Sequence, residues 1–435
     1  MSSVSRGIDR IEVTFDEPNL VANAGLLLVA TLVGRMGLEA LINSTVKLSG
    51  RVGGALPGRK VLTLVHAMIA GATHIDHADM LRSGATERVL GHRVMAPSTL
   101  GTFLRSFTFG HIRQLDRVLA VTIGRAWSLG AGPGSQELVL DVDSTICEVC
   151  GKHKDGAGYG YTKRLCYHPI LAMRASTGEV LHARMRRGQA NTARGAVRFI
   201  EELVSRVRTA GASGQLLIRF DSGFWSNATI ATLERLDVGY TMGVRMVKSV
   251  KKAVASIQES AWLPIEYTAD GEAQVAECDY RGRRLIVRRT RLLGRQAQLW
   301  PDWRHFGLVT DLGADAIDLD AFHRNHATVE LAIRDLKEGS GLSHVPSGQF
   351  SANAAWLLCA VLAHDLIRWT AMLGEMTPSG QLVVARTVRT CVLSVPGRLV
   401  SRSGRPTLRM PLNWPWARVF DKAIALLRAL PPIPV

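Results

Sequence analysis

Three acidic side chains occupy positions where chemistry is plausible. Asp141 and Asp143 alternate with apolar residues in segment 137–147, a pattern that predicts a strand with both aspartates on one face. Asp221 directly follows the apolar segment 216–220, and a carboxylate at the carboxyl end of a buried strand commonly lines a site. Taken alone, the Asp-Ser-Thr sequence that begins at Asp143, at the end of a strand, is most simply a turn cap. The shared placement of the aspartates at strand ends favours a site.

The third acid, Glu330, belongs to a helix predicted over 318–337. It lies on a polar face of that helix, beside an apolar stripe that would pack on the protein. The other members of this polar face are His323, His326, Arg334 and Lys337. The simpler explanation is an ion pair from Glu330 to Arg334 on a solvated helix.

Three converging carboxylates can hold two hard divalent cations, an arrangement that suits in-line phosphoryl transfer. If segments 137–147 and 216–220 are neighbouring strands, Asp143 and Asp221 come close together. Such a site needs no serine or cysteine nucleophile. The expected chemistry is therefore metal-dependent cutting or joining of a phosphodiester.

The charge of the chain points to a polyanionic partner. Its 435 residues contain 53 Lys and Arg against 37 Asp and Glu, a formal net charge of +16. Nucleic acid is the first expectation, ahead of a membrane surface, although a merely basic protein has the same composition. The acidic start lacks a signal-peptide pattern, and the apolar stretches 26–33 and 354–363 are too short to span a bilayer. We expect a cytoplasmic protein in which both stretches are buried helices.

The cysteines allow one alternative site. Cys147 and Cys150 form a CxxC motif, and His153, Cys166 and His168 follow it, so zinc binding is conceivable. No second CxxC accompanies the pair, and irregular spacing of six cysteines is typical of a reducing compartment. Two small thiols in a turn are the favoured interpretation.

The order of elements predicts an α/β protein with a ribonuclease-H-like mixed sheet and flanking helices. Three strands, a helix, a strand, a helix and a strand follow one another between residues 137 and 245. The expected divisions are a helical N-terminal DNA-binding or dimerisation region, a first part of the catalytic core, a β-rich insertion, a second part of the core and a basic C-terminal region. Their bounds are 1–130, 131–246, 247–304, 305–375 and 376–435.

A helix-turn-helix is a weaker prediction within the N-terminal region. It would consist of a helix over 77–90, a turn at 91–93 and a helix beginning at Ser98, with arginines placed near phosphate. Any two helices joined by a short basic turn give the same pattern.

The motifs resemble those of DDE transposases from bacterial insertion sequences, specifically the insertion-sequence-1380 group, which is similar to the wider insertion-sequence-4 clade. The resemblance runs from about residue 18 to the C-terminus. Its motifs are 140–145, 158–162 with 167–169, 219–224, and 327–330 with 335–337. It implies that Asp143, Asp221 and Glu330 form a catalytic triad that binds two Mg²⁺ ions, with Mn²⁺ as a substitute. Of the two aspartates on the first strand, only the motif selects Asp143 over Asp141.

The resemblance also implies the partner and the contacts. The partner would be double-stranded DNA, both the terminal inverted repeats of the element and the target, bound by a homodimer associated with the bacterial nucleoid. The wider clade has Tyr, Arg, Glu and Lys on its last catalytic helix, and this chain has His323 and His326 at the first two positions. The β-rich insertion of related enzymes supports end processing. The residues expected to contact nucleic acid are His323, Arg324, His326, Arg334, Lys337, Lys163, Arg164, and, as candidates to stack on a displaced base, Trp300 and Trp303. For each tryptophan, a place in the hydrophobic core is the simpler explanation.

Two other functions fit much of the same pattern. A nuclease of this fold would cut without strand transfer. A non-catalytic DNA-binding protein derived from such an enzyme would have lost a triad acid, and all three acids are present here.

Overall fold

A computed structural model of the chain describes residues 8–151, 153–160, 162–267, 271–293, 302–378 and 381–434. The N-terminal part is helical, as the sequence predicts. The apolar stretch 26–33 lies in the first helix, and Gly37 separates this helix from the next; the φ of Gly37, 58°, is a left-handed conformation that favours glycine. The helices are α1 (Leu26–Arg35), α2 (Leu38–Thr45), α3 (Pro57–Ile69), α4 (Thr86–Leu90), α5 (Pro97–Arg105) and α6 (Phe109–Ala126).

The predicted helix over 77–90 is wrong. A 3₁₀ segment, Ile75–Arg82, is separated from the five-residue helix α4 by Gly84, whose φ is 56°. The first helix of the suggested helix-turn-helix is therefore absent from this described segment.

The centre of the fold is a nine-stranded mixed sheet with the order β10-β11-β12-β13-β9-β8-β2-β6-β7. Strands β2, β8 and β9 are parallel, and the other pairs are antiparallel. The three strands predicted at the start of segment 137–245 are present as β2, β6 and β7, which form an antiparallel meander. Strand bounds are β1 (Leu20–Val21), β2 (Leu138–Ser144), β3 (Cys147–Glu148), β4 (Gly158–Tyr159), β5 (Leu165–Tyr167), β6 (Ile170–Arg174), β7 (Val180–Arg184), β8 (Leu216–Phe220), β9 (Gly239–Val244), β10 (Leu263–Ile265), β11 (Gly271–Asp279), β12 (Arg284–Leu292) and β13 (Arg304–Thr310).

Helices connect the parallel strands. Helix α7 (Ala196–Thr209) lies between β7 and β8 in the chain, and α8 (Asn227–Arg235) joins β8 to β9. A short helix, α9 (Lys248–Ala255), then precedes β10. The strands of the predicted insertion do not form a separate sheet, because β12 pairs with β13 and β13 pairs with β9 of the central sheet. The division of the chain into domains stays a prediction.

The predicted helix over 318–337 is also broken. Helix α10 (Ala316–Arg324) is followed by a 3₁₀ turn, Asn325–Ala327, and then by α11 (Thr328–Gly339). His323 and Glu330 are therefore on different helices, and the break lies next to His326. This junction positions the candidate site.

The helix α12 (Phe350–Leu373) is the main buried helix of the fold. It has 24 residues and extends beyond the apolar stretch 354–363, and the polar residues that follow this stretch are also buried within the helix. The Asp365 side chain accepts a hydrogen bond from the Val180 amide at 2.8 Å, and Arg368 donates to Asp335 at 2.9 Å. By length and composition α12 could cross a membrane, but 89% of its most apolar window is covered by the protein itself. It is the core helix that the sequence predicts.

The C-terminal segment crosses back to the beginning of the chain. After the short helix α13 (Ala385–Val388), strands β14 (Gly397–Arg402) and β15 (Arg405–Arg409) form a hairpin, which is followed by the helix α14 (Ala417–Ala429). Strand β14 also pairs with β1 near the N-terminus.

Candidate active site

Asp143 and Asp221 lie at the ends of the neighbouring strands β2 and β8. Strands β2 and β8 are parallel, and their register pairs Asp141 with Arg219 and Val142 with Phe220. The next residue on each strand is Asp143 and Asp221, so both carboxylates emerge at the carboxyl edge of the sheet. The adjacency inferred from the sequence is present in the fold.

Asp141 is fully engaged inside the protein. Its two carboxylate oxygens accept hydrogen bonds from Nε and Nη2 of Arg219, both at 2.7 Å, and the side chains are 1% and 4% exposed. His326 Nδ1 lies 2.7 Å from the same carboxylate. Arg219 also donates to the carbonyl of Phe322 on α10 at 2.8 Å. This network fastens β2 and β8 to the junction of α10 and α11.

Asp143 has a different environment. Its side chain is half-buried and accepts a hydrogen bond from the Ser144 amide at 2.6 Å. Burial raises the pKa of Asp143 to about 6, and the negative charges of Asp221 and Glu330 act in the same direction, against the opposing effect of His326. The three acids therefore share one electrostatic neighbourhood, in which a cation would relieve their repulsion.

The other two acids are exposed at this edge. Asp221 accepts a hydrogen bond from the Gly223 amide at 2.9 Å, which closes a turn directly after β8. Beside it, residues that include Ser222, Gly223, Trp225 and Arg245 line a cavity of about 240 Å³. Glu330 is in the first turn of α11. Both side chains can rotate without disturbing the core.

The chemistry of the three acids fits a hard divalent cation, because all their donor atoms are carboxylate oxygens. In the described ranges, no group of three or more His, Cys, Asp or Glu side chains is already arranged to hold a metal ion. Ion binding by Asp143, Asp221 and Glu330 therefore requires side-chain movement. The cysteines and histidines around Cys147, where a zinc site was the alternative, are likewise not arranged to hold a metal ion among the described residues.

The two histidines at the junction of α10 and α11 point into the fold. His323 Nδ1 lies 2.8 Å from the Thr241 hydroxyl, and burial lowers the pKa of His323 to about 3. His326 is held by Asp141, and its Nε2 is buried with no hydrogen-bond partner among the residues that the structure describes. Phosphate contact by either residue stays a prediction that needs a local rearrangement.

The basic residues expected to contact DNA differ in whether they already bind other groups of the protein. Arg334 is exposed on α11, whereas Lys337 donates to the carbonyl of Ile146 at 2.8 Å and so ties α11 to the segment after β2. Arg324 pairs with Asp320 at 2.9 Å. Lys163 and Arg164 lie on the exposed loop before β5, where Arg164 pairs with the exposed Glu148 at 2.8 Å.

The two tryptophans predicted to stack on a base have different outcomes. Trp300 lies outside the described residues. Trp303 is half-buried beside a cavity of about 650 Å³, and its ring already stacks with the guanidinium groups of Arg289 at 4.4 Å and Arg291 at 4.6 Å. Base stacking by Trp303 stays a prediction.

Sequence reasoning missed the role of Arg219. A signal for it exists, because an arginine inside the otherwise apolar run 216–220 requires a buried partner. The partner, Asp141, is 78 positions earlier in the chain. Asp141 is thus occupied structurally, which leaves Asp143 as the aspartate of β2 that is open to the edge of the sheet.

The family described as "Transposase DDE domain group 1" matches residues 5–432, nearly the whole chain. The chain belongs to this transposase family. Membership indicates a DNA-processing enzyme, and DDE transposase domains typically use divalent metal ions. No curated protein matches the chain. Among solved structures, the chain is similar to the piggyBac transposase in a synaptic complex with hairpin DNA, with 12% identity, a TM-score of 0.47, and coverage of 86% of this chain and 80% of that one.

Proposed function

We propose that this transposase belongs to the insertion-sequence-1380 group and serves a bacterial mobile element. It would bind the terminal inverted repeats, cleave at the element ends and join the 3′-hydroxyls to target DNA. The observation that carries the proposal is the parallel register of β2 and β8, which brings Asp143 and Asp221 to the same edge of the sheet; the negative charges of Asp221 and Glu330 also act to raise the pKa of Asp143. These acids come from three separate parts of a chain that matches a transposase family over nearly its full length.

The sheet supports a ribonuclease-H-like core. Its order β7-β6-β2-β8-β9, with an antiparallel meander followed by parallel strands, has the acids at the carboxyl ends of β2 and β8. In open α/β sheets, sites commonly form outside the carboxyl ends of strands. The strands β10 to β12 would then be the insertion, and β13 would resume the core before the last catalytic helix.

Asp143, Asp221 and Glu330 would hold two Mg²⁺ ions, or Mn²⁺ in their place. When bound, such ions lower the pKa of an attacking water or 3′-hydroxyl and neutralise charge on the leaving oxygen. The raised pKa of Asp143 supports this role, since burial and like charge favour the protonated carboxyl until a cation compensates them.

The buried network behind the acids acts as a positioning device. Asp141 binds Arg219 and His326, so it links both aspartate-bearing strands to the junction that begins α11. Because Glu330 lies in the first turn of α11, movement of that junction would move the third acid. Neither Asp141 nor Arg219 needs to touch DNA for this purpose.

The remaining assignments follow from the same proposal. Double-stranded DNA would lie along the edge of the sheet, near exposed Arg334 and Lys163. Joining two element ends calls for at least a homodimer in the DNA complex. A protein of this kind would act in the bacterial cytoplasm, at the nucleoid.

A cleavage and joining assay tests the function. Purified protein is incubated with Mg²⁺ or Mn²⁺, a labelled element end and a supercoiled target plasmid. Joined product supports a transposase, cleavage without joining indicates a nuclease, and binding without cleavage indicates a non-catalytic DNA-binding protein.

Variants of the three acids localise the chemistry. Asp143→Asn, Asp221→Asn and Glu330→Gln should each abolish cutting while DNA binding persists. The matched control is Glu338→Gln, which neutralises an exposed acid of the same helix α11 and should cut normally. Normal cutting by any one of the three triad variants would remove that residue from the proposal.

A further inference from the structure

The C-terminal hairpin presents four arginines on one face. Strands β14 and β15 pair Arg398 with Arg409 and Arg402 with Arg405. Positions two and four apart along a strand share a face, so these two pairs point to the same side of the hairpin. We call this side the arginine face. The side chain of Arg398 is 56% exposed, and the other three arginines are also exposed.

The opposite side of the hairpin fixes this orientation. Leu399 belongs to a small buried cluster with Val21, Ala85 and Val89, and Leu408 packs against the same cluster. Because this apolar side packs against Ala85 and against Val89 of α4, the arginine face must point away from the protein. The pairing of β14 with β1 holds the hairpin in that position.

Acidic residues of the protein balance only part of the positive charge of the arginine face. Like charges directly opposite each other on neighbouring strands are destabilising. Only Arg398 has an ion pair, to Glu17 at 2.7 Å; in the part of the chain that the structure describes, Arg402, Arg405 and Arg409 have none. Four cations on one face with a single anionic neighbour indicate an anionic partner from outside.

Protection of a sheet edge explains only part of this arrangement. Strand β15 is the edge strand, and charged residues together with Pro406 would discourage pairing with another chain. Arg398 is on the inner strand β14, between Leu20 of β1 and Arg409 of β15, where it adds repulsion and does not protect an edge. The aligned pairs therefore require another explanation.

We infer that the arginine face binds the backbone of double-stranded DNA, an inference that rests on the proposed function for the identity of its partner. The two arginine pairs are four residues apart, about 13 Å at the rise of a β-strand. The major groove of B-DNA is about 12 Å wide and admits a two-stranded ribbon. Each pair can thus reach the phosphates of one groove wall, and guanidinium groups bind phosphate with paired hydrogen bonds. These contacts position the DNA without reading its sequence.

The test compares two triple variants of the full chain. Arg402→Gln, Arg405→Gln and Arg409→Gln remove three charges from the arginine face and leave Arg398 with its Glu17 partner. The matched control removes three charges from dispersed, exposed arginines for which the described residues show no ion pair: Arg10, Arg117 and Arg281. Binding to an element-end duplex and to a scrambled duplex of equal length is measured by fluorescence anisotropy between 50 and 200 mM salt.

The face variant should weaken binding to both duplexes equally. In a plot of log affinity against log salt, each lost phosphate contact reduces the steepness of the slope by about 0.9, so the loss of three contacts reduces it by about 2.7. Over this salt range, the affinity of the wild type should therefore fall by about 40-fold more than the affinity of the face variant. The dispersed control should keep most of the wild-type slope. A triple Arg→Lys variant of the face retains the charge and should also keep the slope. Because the substitution to Gln removes like-charge repulsion, the melting temperature of the face variant should not fall.

The failures of the two proposals are distinguishable. Wild-type protein that neither binds nor cuts DNA would overturn the proposed function and this inference together. If wild type cuts element ends but the face variant binds with unchanged affinity and slope, only the inference is overturned. The same conclusion follows if the face variant loses binding to vesicles containing anionic lipid but keeps DNA binding, because the partner would then be a membrane.

Discussion

The buried pair of Asp141 and Arg219 gives the sharpest prediction for a single substitution. Asp141→Asn keeps one acceptor oxygen but places an amide donor against the Arg219 guanidinium, where the oxygen accepts at 2.7 Å in the wild type. Both side chains are at most 4% exposed, so water cannot replace the lost partner. Breaking a buried ion pair from one side costs about 3–5 kcal/mol. With a urea dependence of about 3 kcal/mol per M, the unfolding midpoint should fall by about 1 to 1.7 M.

Asp143→Asn is the matched control on the same strand and the same face. The folded protein raises the pKa of Asp143 from 3.8 to about 6, so its negative charge opposes folding at pH 7. Neutralising it should leave the midpoint unchanged or raise it, while DNA cutting is lost. Urea unfolding followed by tryptophan fluorescence measures both variants. The reasoning fails if Asp141→Asn unfolds at the wild-type midpoint, or if Asp143→Asn is destabilised as much as Asp141→Asn.

Two further predictions concern other contacts. Burial alone raises the pKa values of Asp116 and Glu202, but hydrogen bonds from His182 and the neighbouring arginines hold both below their ordinary range. The two carboxylates therefore stabilise the fold above about pH 5, and this stabilisation is lost as the pH falls. When the pH is lowered from about 5, the melting temperature of the wild type should decrease, and that of Glu202→Gln should decrease less steeply. Equal decreases in the two proteins would contradict this reasoning. The Trp303 ring stacks on Arg289 at 4.4 Å, so Trp303→Ala should destabilise the protein by about 1–2 kcal/mol and Trp303→Phe by less. If Trp303→Ala impairs cutting with an unchanged melting curve, Trp303 contacts DNA instead.

Much of the sheet was predictable, because strand periodicity and element order are local properties of the sequence. The alternation of apolar and acidic residues around Asp143 and the apolar run before Asp221 predict two strands. In a ribonuclease-H-like mixed sheet these strands are neighbours, and they are neighbours in the structure. The β-rich character of segment 247–304, which contains β11 and β12, was also predictable, but strand propensity does not reveal which edge of a sheet these strands join. Their addition to β9 through β13 depends on pairing between segments far apart in the chain.

The details behind the acids were not predictable from the pattern. Asp141 and Asp143 have the same periodicity, and only the distant Arg219 decides which of them is buried. The break between α10 and α11 has no glycine or proline to mark it. Its position coincides with the hydrogen bond from His326 to Asp141, a tertiary contact that helical periodicity does not include.

Contact between Asp221 and a catalytic cation is the central claim, and a ligand exchange tests it most directly. A thiolate is a poor ligand for hard Mg²⁺ and a better one for the softer Mn²⁺. Asp221→Cys should therefore fail to cut an element end in Mg²⁺ and should regain cutting in Mn²⁺, whereas Asp221→Ala should be inactive with both ions. Full activity of Asp221→Cys in Mg²⁺, or equal inactivity of the Cys and Ala variants in Mn²⁺, would contradict the account.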